Sequence, residues 1–396
     1  MKGNEKLFRL SLSNLNELNP SELPPPLDLH VLNEQKDQIF VDQDQEPARI
    51  EWDFSLSAVV SSSSAAGAVS DTLGVVEFDQ SNTLFATGGI ARKIRVYNWT
   101  SLSTDVNAPE HAGACDYFIC TPAKLSGLRW KPQSSSRVIG SCDYDGVVTE
   151  YDLEKRVPVF ERDEHGGRRV WAMDYSNSDP VIGGSASDDG SMQMWDTRCE
   201  GGNSIAIIRP GNPNCSSVCS VEFDPSCGQL VAVGCADRKA YGFDIRKLSE
   251  PVFRLQGHNK TVAYVRFIDN ETIVTSGTDG CLKLWRTADQ SLIRTYVGHV
   301  NTRRFVGLSG WRSGGLLSCG SENNKVFVYD KRWGEPIWCN GIGTDDHHGG
   351  AAAFVSCVCW RQTTAAAEDQ CTLVAGGWNG VLHVYQGKRK IIHSLN

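Results

Sequence analysis

Apolar and polar residues alternate along this chain in short runs, and the runs come in threes. The clearest triplet is HNKTVAYVRFIDNETIVTSGTDGCLKLW, from His258 to Trp285. It reads as a strand ending at Phe267, a second from Glu271 to Ser276, a turn at Gly277–Asp279 and a third strand ending at Trp285. The triplet recurs. Residues equivalent to Trp285 stand at Tyr97, Tyr151, Trp195, Phe243, Tyr329 and Tyr385, and the intervals along the series are 54, 44, 48, 42, 44 and 56 residues. Six residues before each aromatic lies a turn position: Ala91, Asp145, Asp189, Asp237, Asp279, Asn323 and Asn379. Two registers at one fixed offset imply seven copies of one small sheet.

A period of ~40–45 residues plus loop insertions is that of WD40 repeats. The predicted fold is therefore all-β: a seven-bladed WD40 β-propeller over residues 46–396, behind a short, disordered, acidic N-terminal tail at residues 1–45. The tail carries Pro24-Pro25-Pro26 and ends in the acidic run DQDQE. The segment Ile50–Val60 is expected to be a strand that joins the last blade, closing the ring and removing its exposed edges. Ser61–Ala68 reads as a small-residue loop. Blade one runs from about Leu73 to Trp99 and is followed by a polar insertion, Thr100–Pro122. Later blades span Lys124–Leu153, Arg169–Arg198, Cys215–Arg246, the triplet above, Asn301–Arg332 and Phe354–Tyr385.

Asp or Asn in the turn between second and third strands accepts backbone N–H bonds. In the full repeat it also holds a His, which is bridged through a Ser or Thr to the Trp indole. Two blades carry all four members: His165, Ser185, Asp189, Trp195, and His258, Thr275, Asp279, Trp285. Because they recur with the repeat, these His–Asp pairs are read as structural, not catalytic.

Composition narrows the function. The chain has 396 residues, 40% of them hydrophobic, enough for one large core. No run of ~18 apolar residues predicts a membrane helix, and the N-terminus lacks a secretory leader pattern. A net charge of −8 weighs against nucleic acid as partner. The 14 cysteines lack paired metal spacing and read as free thiols in a reducing, intracellular compartment. No metal or cofactor is expected; the loop pair His347-His348 is the alternative place for a metal. Lys388-Arg389-Lys390 is too short for a nuclear signal. There is no phosphate-cradling loop, nucleophile elbow or carboxylate pair outside the repeat, so a binding protein is expected and not an enzyme.

Strands alternate in direction within a blade. The start of the first strand and the turn between the second and third therefore share one end of the ring, the top. Lys124, Arg169, Trp171, Lys260 and Phe305 stand at first-strand starts, and Tyr144 in the turn of blade two. Three aromatics and three cations on one rim suit capture of a short peptide with apolar anchors and acidic flanks. The alternative is that the aromatics only plug the channel mouth. At the other end, Trp195-Asp196-Thr197-Arg198 has the WDxR form, echoed by Phe243-Asp244-Ile245-Arg246 and Tyr329-Asp330-Lys331-Arg332. Such a box either staples the strand exit or docks an adaptor.

CDYDGVV, SASDDGSMQMWDTR, VAVGCADRKAYGFDIR, TVAYVRF, RRFVGL and CGSENNKVFVY resemble the WD40 domain of the plant constitutively photomorphogenic E3 ligase and its SPA partners, over about residues 47–386. A short tail with a bare propeller, and the EWDFSLS segment, are similar to the RUP family, the repressors of UV-B photomorphogenesis. The resemblance implies a groove for acidic Val-Pro peptides at Lys124, Tyr144, Arg169, Trp171, Lys260 and Phe305. It implies the UV-B photoreceptor as partner, promotion of its redimerisation, and competition with the E3 ligase. It also implies contact with the E3 ligase and SPA proteins, and location in nucleus and cytoplasm. The WDxR form resembles the box that docks propellers to the damaged-DNA-binding adaptor of cullin-RING ligases, best matched at Trp195, Asp196 and Arg198, with Arg246 in the next blade. A substrate receptor of such a ligase and a SPA-like scaffold are the alternatives.

Overall fold

The computed structural model describes residues 51–62, 70–102, 109–199, 204–211, 216–226, 228–342, 353–362 and 369–390. They form seven four-stranded antiparallel sheets. The inner strands are Leu73–Phe78, Leu125–Trp130, Val170–Tyr175, Val218–Phe223, Val262–Phe267, Leu308–Trp311 and Val355–Arg361. Each touches the next, and the last touches the first, so the blades close a ring around a central channel. The seventh sheet is built from both ends of the ring. Trp52–Val60 is its outermost strand, antiparallel to Leu382–Arg389, as the sequence predicts.

The core lies between blades. All seven recurring aromatics are buried, and each sheet lays its faces against its neighbours through clusters such as Trp52, Phe54, Trp311 and Trp360. Second and third strands are buried almost throughout (IGGSAS and MQMWD in blade three), which explains their weak alternation in sequence. Outer strands are half solvated; Val157–Arg162 is exposed over most of its length.

Six of the seven inner strands carry the same register shift at their top end, at Leu73/Val75, Leu125/Gly127, Val170/Ala172, Val218/Ser220, Val262/Tyr264 and Val355/Cys357. Such a bulge turns one side chain out of the regular pleat. In blade three that residue is Trp171. Blade six has no shift within its inner strand; Gly307, at φ +77°, makes the bend there, and a Cβ would lie 2.8 Å from the Val358 amide nitrogen.

Two expectations are corrected. The polar insertion Thr100–Pro122 is not outside blade one. Its described residues include the end of a helical turn, Trp99–Leu102, a second turn, His111–Ala114, and the blade's outer strand, Tyr117–Cys120. Blades also extend beyond the aromatic positions, because each adds an outer strand too short or too solvated to show a pattern, as at Ala206–Ile208. The acidic tail at 1–45 and His347-His348 lie outside the described residues. Every described cysteine is free, no group of metal-ligating residues occurs among the described residues, and no described helix is long and apolar enough to cross a membrane.

Two buried imidazoles make the fold acid-sensitive. His299 pairs with the Tyr329 hydroxyl (3.0 Å) and His383 with that of Tyr385 (3.1 Å). Burial lowers both rings from 6.5 to about 4. Between those values the unfolded chain binds more protons than the folded one, so stability is lost as pH falls from 6.5 towards 4. The urea midpoint should therefore drop between about pH 7 and about pH 4.5. A His299→Asn, His383→Asn double variant, though less stable, should show a flatter profile; an unchanged slope would assign the acid sensitivity elsewhere.

Candidate functional site

The four-membered network is complete in blade five. His258 Nδ1 lies 3.1 Å from both Asp279 oxygens, His258 Nε2 lies 2.8 Å from the Thr275 hydroxyl, and Trp285 Nε1 donates to that hydroxyl at 2.9 Å. Burial works to raise the Asp279 carboxyl, but His258 and the Asn259 and Cys281 amides override it and hold it below its usual value.

Blade three departs from the expected set. His165 reaches Asp189 (2.9 Å) and Ser185 (2.7 Å), yet Trp195 Nε1 is buried with no partner among the described residues. Its ring instead carries the Arg162 guanidinium at 5.4 Å. Thr275 is β-branched and held in one rotamer between imidazole and indole; unbranched Ser185 serves the imidazole alone. In blades one and six, Tyr replaces Trp and meets the His directly: Tyr97 with His111 at 2.7 Å, Tyr329 with His299 at 3.0 Å. In blade four, Tyr241 donates to Asp237 at 2.6 Å. Thr275→Val should leave both His258 Nε2 and the Trp285 indole N–H unsatisfied and cost ~1–3 kcal/mol, whereas Ser185→Ala breaks a single contact and should cost less. Urea unfolding of the two variants checks the order.

At the top, one hydrogen bond recurs. The amide in the second turn donates to the residue leading into the inner strand: Tyr144 to the Lys124 carbonyl at 3.0 Å, Asp188 to Arg169 at 3.0 Å, Trp378 to Phe354 at 3.1 Å. It fixes Tyr144 beside Lys124 and holds the first-strand starts in one rim. The bulge aims Trp171 across the channel mouth, where it stacks on Phe305 of blade six, centroids 4.3 Å apart and planes 25° apart. Its Nε1 donates to Asp188 at 2.6 Å, which satisfies the indole and sets its orientation. Tyr144 stands edge-on to Trp171 at 6.2 Å. The Arg169 guanidinium lies 4.3 Å from the Tyr144 ring and 4.6 Å from Trp171. Its Nε is buried without a partner among the described residues.

Four of the six expected rim residues thus form one cluster. Lys124 is exposed and tied to it through the backbone; Lys260 is exposed and outside it. Three members were not anticipated. Tyr264 meets Phe305 edge-on at 5.8 Å, and Arg304 lies over Phe354 at 4.1 Å. Tyr264 looks like core in TVAYVRF, but it lies just below the bulge of blade five, against Phe305 at the mouth. Both Trp171 and Phe305 remain half-buried.

Below the rim the channel has a volume of about 690 Å³. Its wall charges answer one another. Arg129 pairs with Glu77 and with Asp174 (3.2 Å), and Glu222 accepts from the Phe267 amide (2.6 Å) and from Arg312 (3.2 Å). These bonds tie blade to blade and occupy the carboxylates.

On the opposite face, Trp195 is fully buried. Arg198 Nε donates to Asp196 at 2.9 Å within the same turn. Arg246–Asp244 and Arg332–Asp330 repeat the geometry. Trp195 therefore offers no surface on that face, and the Arg–Asp pair of the WDxR form makes the same turn contact in three blades.

A family model described as the nucleolar protein 10-like N-terminal domain, a β-propeller, matches residues 172–342. The chain is 60% identical to the WD repeat-containing protein RUP2 of Arabidopsis thaliana, over 81% of this chain and 89% of that protein. To RUP1 of the same plant it is 56% identical, over 86% of each. The E3 ubiquitin-protein ligase COP1 of Pisum sativum is 35% identical over 75% of this chain, which corresponds to 44% of the ligase. Protein SPA1-RELATED 3 of Arabidopsis thaliana stands at 35% over 80% of this chain. Identity of this degree over most of both sequences shows that the chain belongs to the RUP family of WD-repeat propellers, related to those of COP1 and the SPA proteins.

Proposed function

We propose that this chain is a non-enzymatic regulator that binds an acidic, Val-Pro-containing segment of the UV-B photoreceptor with its top rim and drives the photoreceptor back to its inactive dimer. The observation that carries this reading is the cluster of Tyr144, Arg169, Trp171 and Phe305 at the channel mouth. Trp171 and Phe305 offer an apolar platform for Val and Pro, each buried side chain contributing ~1.5–3 kcal/mol before the cost of ordering the peptide. Arg169 and the exposed Lys124 and Lys260 supply positive charge for the acidic residues, which favours selection and fast encounter more than raw affinity. Similarity to the COP1 propeller supports competition for one ligand.

The decisive experiment follows photoreceptor monomer in the dark after UV-B exposure, with and without the purified full chain. Faster loss of monomer, slowed again by added acidic Val-Pro peptide, is the expected result. No acceleration at saturating protein would overturn the proposed mechanism.

A further inference from the structure

Deep in the channel, below the rim, the wall has one charged tier. The residue before the last aromatic of the inner strand is Glu77, Arg129, Asp174, Glu222 or Arg266 in blades one to five, and all of these line the channel. Their charges are satisfied unequally. Arg129 pairs with both Glu77 and Asp174, and Asp174 also accepts from the Phe223 amide at 2.7 Å. Glu222 is taken up by the Phe267 amide and by Arg312. Arg266 has no ion pair among the described residues; its Nη1 donates to the Val265 carbonyl at 2.8 Å. The next blade cannot supply one, because blade six has Gly310 at this level and blade seven has Cys359.

The Arg266 guanidinium therefore borders the channel with a charge that no carboxylate answers. It lies 5.8 Å from the Tyr264 ring, which gives it an aromatic neighbour one level up. Burial lowers the Arg129 guanidinium, and the Arg266 charge lowers it further, so the two cations confront each other. Above the tier the wall is small or apolar, at Val75, Gly127, Ala172 and Tyr264, and the Trp171–Phe305 stack lies across the top. Below it the same cavity runs on to Asn82, Pro132, Pro225 and Gln362, at the bottom opening. A space of about 690 Å³ is the size that holds a small organic molecule.

We infer that the channel is a binding site for a small organic monocarboxylate, its carboxylate on the fork of Arg266 and its apolar body against Tyr264 and Ala172. A guanidinium offers a carboxylate two parallel N–H donors, which fixes orientation as well as charge. The tier itself selects a single negative charge. Glu77, Asp174 and Glu222 share the level with Arg266, so a dianion such as a phosphate ester meets repulsion, and a cation finds these carboxylates already paired. The site is reached from the bottom and uses none of the six residues expected to hold a peptide on the rim, so it stands independently of the peptide-binding reading.

The test is ligand-observed NMR and calorimetry on the full chain with acetate, butyrate and phenylacetate, the matching primary amides, and phenyl phosphate. Affinity should rise from acetate to phenylacetate. Phenylacetate should bind about tenfold tighter than its amide and tighter than phenyl phosphate. Arg266→Gln should abolish the preference for acid over amide, and Arg266→Lys, which keeps the charge without the planar fork, should fall between. Lys124→Gln and Lys260→Gln, on the rim, should bind phenylacetate as wild type does. If Arg266→Gln does not fold, the Arg266 Nε resonance of wild type, assigned by its loss in Arg266→Lys, should still shift with phenylacetate and not with the amide. Three results would each overturn the inference: no binding of any acid at millimolar concentration, equal binding of acid and amide, or phenylacetate affinity lost in Lys260→Gln but kept in Arg266→Gln. None of them touches the peptide-binding reading.

Discussion

Trp171→Ala is expected to remove acidic Val-Pro peptide binding from the full chain, with a loss of at least ~30-fold in affinity. Besides its hydrogen bond to Asp188, the indole has three ring partners at the mouth. It stacks on Phe305, stands against Tyr144 and braces Arg169, so its removal takes away the apolar platform and releases the guanidinium together. Fold stability should change little, because Trp171 sits half-buried on a bulge and belongs to none of the inter-blade clusters. Phe305→Ala should cause a loss of similar size. The double variant should lose less than the two added together, since each single change already breaks the same stack. Calorimetry at two salt concentrations separates the parts: the charge component weakens with salt, the aromatic one does not. Wild-type affinity retained in Trp171→Ala would mean that the stack is only a plug and that the partner surface lies elsewhere.

Trp52→Ala should be strongly destabilising, at ~3–5 kcal/mol. Trp52 lies at the outer edge of the seventh blade and meets Trp311 edge-on at 5.5 Å, while Phe54 two residues on lies 5.0 Å from Trp338 and 6.3 Å from Trp360. One substitution therefore opens a cavity in an aromatic cluster shared by blades six and seven. The bonds around it are also at stake: Glu51 holds Arg332 at 2.8 Å, and its carbonyl accepts from the Lys390 amide at 2.6 Å. Thermal unfolding and the rate of proteolysis should both register the change. Deleting residues 51–60 should be worse still, leaving Leu382–Arg389 as an unpaired edge and the protein prone to association. A soluble deletion variant with unchanged unfolding temperature would show that the ring closes without this strand.

Most of the ring can be read from the residues, because a buried aromatic six residues after a turn Asp or Asn is a demand made by every blade. Outer strands escape such reading. Tyr117–Cys120 looks like part of a polar insertion because Phe118 and Cys120 face solvent, and Val157–Arg162 contains a proline and little burial. The rim is legible where function sets an unusual residue at a first-strand start, as at Trp171 and Arg169. It is illegible where placement depends on another blade or another turn: Tyr264 looks like core, and Arg304 gains its position from Glu322, which a reader of the chain passes as one more turn residue. The Trp195 network shows the same limit. His165, Ser185 and Asp189 match the pattern by type, yet the Trp195 indole is left unbonded among the described residues.

Glu51 and Arg389, 338 residues apart, meet in the seventh blade. A ribosome adding ~5–20 residues per second needs tens of seconds or more to span that interval. Throughout that time the early segment has no strand to pair with, and the blades already made form an open arc with an unmatched edge at either end. Trp52–Val60, the first strand among the described residues, is among the last to dock. Nascent chains of this protein are therefore expected to occupy chaperones until termination, and premature stop codons even within the final blade should yield aggregating products, not shorter propellers.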